Sequence, residues 1–312
     1  SDIVVVLDRQ QGGKELLENR GFRVHTLFNI TEVCEILKDE NILNDEEIQR
    51  ITDFLAGNEV HFEEKKRLSY EQKLADAKHL SVKKLLEISI AKKSNLIASA
   101  DVITTGELLK LADSVGPHIV ALKTHMDIIS DFDFEKTILP LKEIAKKHNF
   151  LIMEDRKFAD IGSTQEMQYS HGIYKISSWA DLITSQVIGG SQSLDFFLNS
   201  GVIAILSMSS KGTLTDNHYF EEALQIAKSH PNVIGGVSQK PISDDLLLFT
   251  PGVNLADSGD SKGQQYNTPE FVFNKLHTDF IIVGRGIYKS NTPEQSALEY
   301  KTKGWKAYLN TL

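Results

Sequence analysis

The chain is short of cysteine, of long apolar runs and of positive charge. A single cysteine, Cys34, among 312 residues excludes an intrachain disulfide framework and a multi-cysteine metal site. It fits a reducing compartment, so a cytoplasmic location is expected. No run of about 18 apolar residues occurs, and no membrane span is expected. The first residues lack the basic stretch, apolar stretch and cleavage site of a signal peptide. The net charge is −9, and residues 1–66, with 8 Lys+Arg against 15 Asp+Glu, carry −7 of it. That balance argues against nucleic-acid binding, although a local basic pocket for one phosphate is allowed. No H-x-x-x-H or Cys/His cluster points to a metal. Neither glycine-rich nucleotide fingerprint, G-x-G-x-x-G or G-x-x-x-x-G-K-[ST], is present. No metal and no cofactor are therefore expected.

What is present is ordinary for a globular protein: 41% hydrophobic and 25% charged residues. The length suits a barrel with an appendage. The opening 66 residues read as part of an α/β unit. The apolar run 3–7 is followed by a helix at 14–19, a second strand at 22–27, and helical spacing at 31–37 and 45–55. Residues 57–68 read as a polar linker. From Ser69 a regular pattern begins with a helix at about 70–92. Apolar runs follow at 95–100, 119–122, 150–153, 182–188, 202–208, 233–237, 246–249 and 280–283. Helical patterns lie between most of them, including 164–174 and 194–198, and a helix at 294–309 closes the chain. The segment 240–245 is too short for a secure helix. Eight strands alternating with helices in about 240 residues predict an α/β (β/α)8 TIM barrel, with an open doubly wound sheet as the structural rival.

The stretch Glu154-Asp155-Arg156-Lys157-Phe158-Ala159-Asp160-Ile161-Gly162 is the most informative in the chain. Asp155 and Lys157 are two apart, so on a strand they point to the same face. Asp160 follows where the strand gives way to a loop. Alone, D-x-K-x-x-D is equally a solvated ion-pair cluster. In a barrel, however, catalytic groups gather at C-terminal strand ends. Reading those ends in order gives Ser99 and Asp101, then Lys123 and His125, then Asp155 and Lys157. Two lysines and two aspartates from three adjacent strands would converge. The fifth strand ends at Ser209 and the seventh at Pro251. The eighth ends in Gly284-Arg285-Gly286, which suits an anion or merely a tight turn. The loop 251–268, with Gln264 and Tyr266, has the length of a binding loop. Ser163-Thr164-Gln165-Glu166 matches a capping box. These residues predict a metal-free barrel enzyme for a small phosphorylated substrate. A Schiff-base or metal-dependent sugar-phosphate enzyme and a non-catalytic scaffold remain as alternatives.

Taken together, Ser99-Ala100-Asp101, Leu122-Lys123-Thr124-His125, 154–162, 248–253, 263–267 and 282–287 resemble the orotidine 5'-monophosphate decarboxylases. More closely, they resemble the decarboxylase half of animal bifunctional uridine monophosphate synthases. The resemblance covers about residues 68–312, and its D-x-K-x-x-D in an F-A-D-I-G context is highly specific. It implies that orotidine 5'-monophosphate is converted to uridine 5'-monophosphate without a cofactor. Lys123, Asp155, Lys157 and Asp160 are the implied catalytic groups. Ser99, Asp101, His125, Thr164, Ser209, Pro251, Gln264, Tyr266, Gly284 and Arg285 are the implied substrate contacts. A homodimer is also implied, with Asp160 and Thr164 reaching the neighbouring subunit's site. Residues 67–312 would form the decarboxylase domain. Residues 1–66 resemble the late part of an orotate phosphoribosyltransferase domain plus linker. The family's diphosphate-sugar motif lies upstream of that part, so no transferase activity is expected.

Overall fold

The computed structural model describes residues 2–19, 21–57, 67–210, 212–255 and 267–312. They divide into two compact units, Ser1–Lys65 and Lys66–Leu312. In the first unit, β1 (Asp2–Asp8) and β2 (Arg23–Asn29) pair in parallel through α1 (Gly13–Asn19). Two helices follow, α2 (Ile30–Asp39) and α3 (Asp45–Gly57). A capping box starts α2: Asn29 Oδ1 accepts from Glu32 N–H at 2.8 Å, and Glu32 Oε2 accepts from Asn29 N–H at 2.9 Å. This two-stranded sheet leaves Val4, Val6, Leu27 and Phe28 exposed.

The second unit opens with α4 (Tyr70–Asp76) and α5 (Leu80–Lys92). One helix was expected over this span. His79 starts the second instead, accepting from Ser81 N–H at Nδ1. Eight parallel strands then close a barrel: β3 (Leu96–Ser99), β4 (Ala121–Thr124), β5 (Leu151–Phe158), β6 (Leu182–Gln186), β7 (Gly201–Ile205), β8 (Val233–Val237), β9 (Leu247–Pro251) and β10 (Phe280–Val283). Strand β10 pairs with β3, so the sheet has no free edge. Each apolar run of the sequence supplies one strand. The runs are apolar throughout because the inner face packs in the barrel and the outer face under helices. Those helices are α6 (Thr105–Val115), α7 (Leu139–His148), α8 (Gly162–Ser170), α9 (Asn217–Ser229), α10 (Pro269–Leu276), α11 (Arg285–Tyr288) and α12 (Pro293–Leu309). No helix joins β8 to β9.

Three local expectations are corrected. The 194–198 segment is not helical; a 3₁₀ turn, Ser191–Leu194, ends at its first residue. Ser163 does not cap α8: the N-cap is Ile161, without a side-chain bond, and Ser163 lies inside the helix. Arg67 is not part of a polar linker. It is buried at the N-terminal end of β10, where its guanidinium lies over the rings of Phe273 and Tyr308. There Asp279 Oδ1 accepts from Arg67 Nη2 at 2.8 Å and from Lys73 Nζ at 2.6 Å, and Oδ2 accepts from Leu248 N–H. Burial opposes charge on Asp279, but Lys73 and Arg67 outweigh it and hold its carboxyl below the usual range. This knot ties the start of the unit to the barrel floor, opposite the strand ends that carry the charged array.

Candidate active site

The C-terminal strand ends surround a cavity of about 370 Å³. Ser99, Asp101, Lys123, His125, Asp155, Lys157, Ser209, Pro251, Gly284 and Arg285 all line it. A larger groove of about 660 Å³ lies beside Lys84, Lys142, Trp179 and Asp181 and contains none of these groups.

Within the cavity the charges form one connected chain. Asp155 Oδ2 accepts from Lys123 Nζ at 2.9 Å and from Lys157 Nζ at 2.7 Å. Lys123 Nζ also reaches Asp101 Oδ1 at 3.4 Å, and Ser99 Oγ donates to the same oxygen at 2.6 Å. His125 Nε2 lies 2.8 Å from Lys123 Nζ and 3.3 Å from Asp155 Oδ2. That nitrogen either accepts from the lysine or donates to the aspartate, according to its tautomer. Lys123 and Asp155 are both buried, which is costly for each alone. Burial opposes the charge on Lys123, but Asp155 and Asp101 outweigh it and raise its pKa. Burial likewise opposes ionisation of Asp155, yet Lys123, His125 and Lys157 hold it well below the carboxylate range. Asp101 is lowered against the pull of burial by Lys123, Ser99 and His125. The array is thus built to stay ionised.

Lys157 reaches this position by leaving the regular strand. Its φ is +50°, a left-handed conformation that an L-residue adopts at a cost. The β5–β6 register shifts between Glu154 and Phe158. The simple alternation expected of Asp155 and Lys157 therefore does not hold, and a bulge brings the two side chains together. Thr184 on β6 fixes this bulge: its Oγ1 accepts from Lys157 N–H at 3.0 Å and donates to Asp155 Oδ1 at 2.7 Å. Sequence reasoning missed Thr184, the first of three polar residues inside the fourth apolar run. Asn254 and the apolar walls Met153, Ile205, Met208, Val237 and Ile282 were also missed. An added Cβ at Gly284 would meet Ser99 Cβ at an ordinary contact distance of 3.4 Å, whereas one at Gly286 would collide with the Tyr300 hydroxyl.

Asp160 and Thr164 do not line this cavity. Asp160 Oδ2 instead accepts from Gln168 Nε2 at 3.1 Å, and its N–H donates to Gln165 Oε1 at 2.9 Å. Gln264 and Tyr266 lie outside the described residues. The feet of their loop are joined at the rim, where Val253 bridges Asn267 and Asn254 N–H donates to Asn267 O at 2.9 Å. Among the described residues, no group of three His, Cys, Asp or Glu side chains is placed to hold a metal ion, and no helix is long and apolar enough to cross a membrane.

A closed eight-stranded barrel with an ionised Lys–Asp array at its C-terminal strand ends defines a (β/α)8-barrel enzyme. Residues 94–300 match the model of the orotidine 5'-phosphate decarboxylase / HUMPS family, and the chain belongs to that family. It is 39% identical to uridine 5'-monophosphate synthase of Bos taurus over 333 residues, spanning 100% of this chain and 69% of that protein. It is 49% identical to orotidine 5'-phosphate decarboxylase of Candida glabrata over 245 residues, 73% of this chain and 92% of that protein. Among solved structures, orotidine 5'-monophosphate decarboxylase from Methanocaldococcus jannaschii complexed with the inhibitor BMP aligns with a TM-score of 0.54 at 25% identity. That alignment covers 67% of this chain and 98% of the other.

Proposed function

We propose that Lys157, Asp155 and Lys123 carry out the reaction of this family here, the decarboxylation of orotidine 5'-monophosphate to uridine 5'-monophosphate in pyrimidine biosynthesis. The observation that carries the reading is the continuous Lys123–Asp155–Lys157 contact inside the cavity, at 2.9 and 2.7 Å. Losing CO2 from C6 leaves an sp2 carbanion that the pyrimidine ring delocalises poorly. Charge must then be stabilised by preorganised groups. Lys157 ends at the partly open side of the array, where its ammonium faces the developing anion and supplies the proton. Asp155, held ionised, repels the substrate carboxylate, and that repulsion is relieved as CO2 departs. Lys123 keeps Asp155 charged and positioned. Asp101 and His125 serve the ribose, while Ser209 and Gln264 read the pyrimidine. Gly284, Arg285, Gln264 and Tyr266 serve the phosphate side. Phosphate contacts lie far from C6. Their binding energy, used to order the groups around the pyrimidine, raises the rate and not only the affinity.

The acting unit is a homodimer in the cytoplasm. Asp160 and Thr164 do not line their own cavity, and Ile161, Met167 and Ile188 are exposed apolar side chains. A two-fold neighbour would cover this patch and receive Asp160 in its site. Residues 2–57 belong to a larger phosphoribosyltransferase-like α/β domain, a reading supported by the exposed Val4, Val6, Leu27 and Phe28 of the two-stranded sheet.

Subunit exchange tests the shared site. Lys157→Ala and Asp160→Ala homodimers are each expected to be inactive. After mixing, a heterodimer holds one site with both defects and one with neither. Activity returns to at most about a quarter of the parent when half the dimers are mixed. Exchange confirmed by mass with no return of activity places Asp160 in its own subunit's site and refutes the reading.

A further inference from the structure

Directly behind the array, on the outer face of the same two strands, lies a carboxyl group that the reaction does not use. Glu154 precedes Asp155 on β5 and is 1% exposed. Its side chain points away from the cavity toward the end of β4. Glu154 Oε2 lies 2.7 Å from Thr124 Oγ1, and Glu154 Oε1 accepts from Met126 N–H at 3.0 Å. Thr124 Oγ1 is also 3.3 Å from Met153 O. These contacts flank Lys123 on β4 and His125 just beyond it, both of which line the cavity.

The placement matters because the β4–β5 ladder ends there. Its last register pair is Thr124 with Glu154. Beyond it β5 enters the bulge that carries Lys157, and β4 turns into a short 3₁₀ segment at Met126–Ile128. The inner faces of the two strands meet through the 2.9 Å contact of Lys123 with Asp155. On the outer faces, Glu154 replaces the missing ladder bonds with two of its own.

We propose that Glu154 is a positioning residue, a brace on the outer face of β4 and β5 that sets Lys123 and His125 against Asp155. Its form is the neutral acid. Burial pushes its carboxyl up to about 8, against the hydrogen bonds from Thr124 and Met126 and with the help of nearby Asp127 and Asp155. The neutral acid satisfies every partner. Oε1 accepts from Met126 N–H in either form; Thr124 Oγ1 donates to Oε2 of the ionised group, whereas in the neutral acid the acid proton goes to Thr124 Oγ1 and the threonine hydrogen turns to Met153 O. An ionised group would add a third carboxylate beside Asp155 and Asp127.

The proposal rests on the reading that the Lys123–Asp155 pair serves decarboxylation. That reading is tested separately at Lys157, so the two can fail independently. The experiment compares Glu154→Ala, Glu154→Gln and Thr124→Val with the parent. The readouts are steady-state decarboxylation and uridine 5'-monophosphate binding, both normalised to folded protein. Loss of the brace in Glu154→Ala lowers kcat by about tenfold to a hundredfold, because small displacements of reacting groups carry costs of that size. KM and product affinity stay within about threefold, since the phosphate contacts are on other strands. Glu154→Gln keeps the neutral geometry, with its amide donating to Thr124, and restores kcat to within about threefold of the parent. Thr124→Val removes one of the two ties and lowers kcat by an intermediate factor. A purely packing role predicts fewer folded molecules with unchanged kcat per folded site, and that result for Glu154→Ala overturns the proposal. If Glu154→Ala does not fold, the other two variants decide. A Gln variant impaired a hundredfold, or a Val variant with parental kcat, overturns it as well.

Discussion

Replacing Lys157 by alanine and by glycine separates what this residue does for the reaction from what its backbone costs the fold. Its side chain is 34% exposed and is tied to Asp155 at 2.7 Å. Asp155 keeps Lys123 and Thr184 when Lys157 is removed. Loss of the ammonium therefore costs little stability, within about 1 kcal/mol, as for other partly exposed pairs. The backbone adds a second effect, because φ at Lys157 is +50°. An L-residue holds this conformation at roughly 1–2 kcal/mol. Glycine escapes that cost but loses about 0.4–1 kcal/mol through the greater freedom of its unfolded chain. Lys157→Gly should then be more stable than Lys157→Ala by roughly 0.5–1 kcal/mol, a shift of about 2 °C in Tm for a domain of this size. Both variants should lose at least about a thousandfold in kcat, because a positioned cation is withdrawn from a developing anion. Calorimetric melting gives the first comparison and decarboxylation assays give the second. Equal stability of the two variants refutes the strain argument, and activity within tenfold of the parent refutes the catalytic one.

Removing the floor knot has the opposite profile. Asp279→Ala leaves Arg67 and Lys73 buried without their carboxylate, and should lower unfolding free energy by about 3–5 kcal/mol while kcat per folded molecule is retained. Denaturant titration and the decarboxylation assay check the two halves. The pH dependence of stability should carry the mark of Glu154. Its pKa rises from 4.5 to about 8 on folding, so the folded state holds an extra proton between those values. Its contribution is complete below pH 4.5 and fades as pH rises toward about 8. Glu154→Gln should flatten that slope in denaturant titrations across the same range, and an unchanged slope counts against the buried neutral acid. Exhaustive chelation should leave decarboxylation intact, whereas loss restored by added Mg2+ or Zn2+ would favour a metal-dependent mechanism.

Much of this architecture was legible in the residues. The eight apolar runs became the eight barrel strands because a parallel strand buried on both faces needs an uninterrupted apolar run, as at 233–237 and 280–283. The charged strand ends were legible for the same reason: polarity begins where the barrel opens. What escaped was local geometry that no period encodes. Alternation suggested that Asp155 and Lys157 share a face, and they do meet, but through a bulge and a left-handed backbone held by Thr184. Ser163 looked like a helix cap from its spacing to Glu166, yet the helix begins one residue earlier, at Gly162. Arg67 sat in a polar stretch and read as linker, because only the fold reveals Asp279 waiting more than two hundred residues away. Glu154 stands in the sequence only as a neighbour of Asp155, since its partners Thr124 and Met126 lie at the end of β4 and in the 3₁₀ segment after it.

The central claim is that this cavity stabilises negative charge at C6 of the pyrimidine and that Lys157 handles the proton there. Microscopic reversibility gives a direct test without the decarboxylation step. Uridine 5'-monophosphate incubated with the purified chain in D2O should exchange its C6 hydrogen for deuterium, followed by proton NMR. The parent should catalyse this exchange and Lys157→Ala should not. No exchange with the parent, or exchange at the parental rate in Lys157→Ala, would contradict the account.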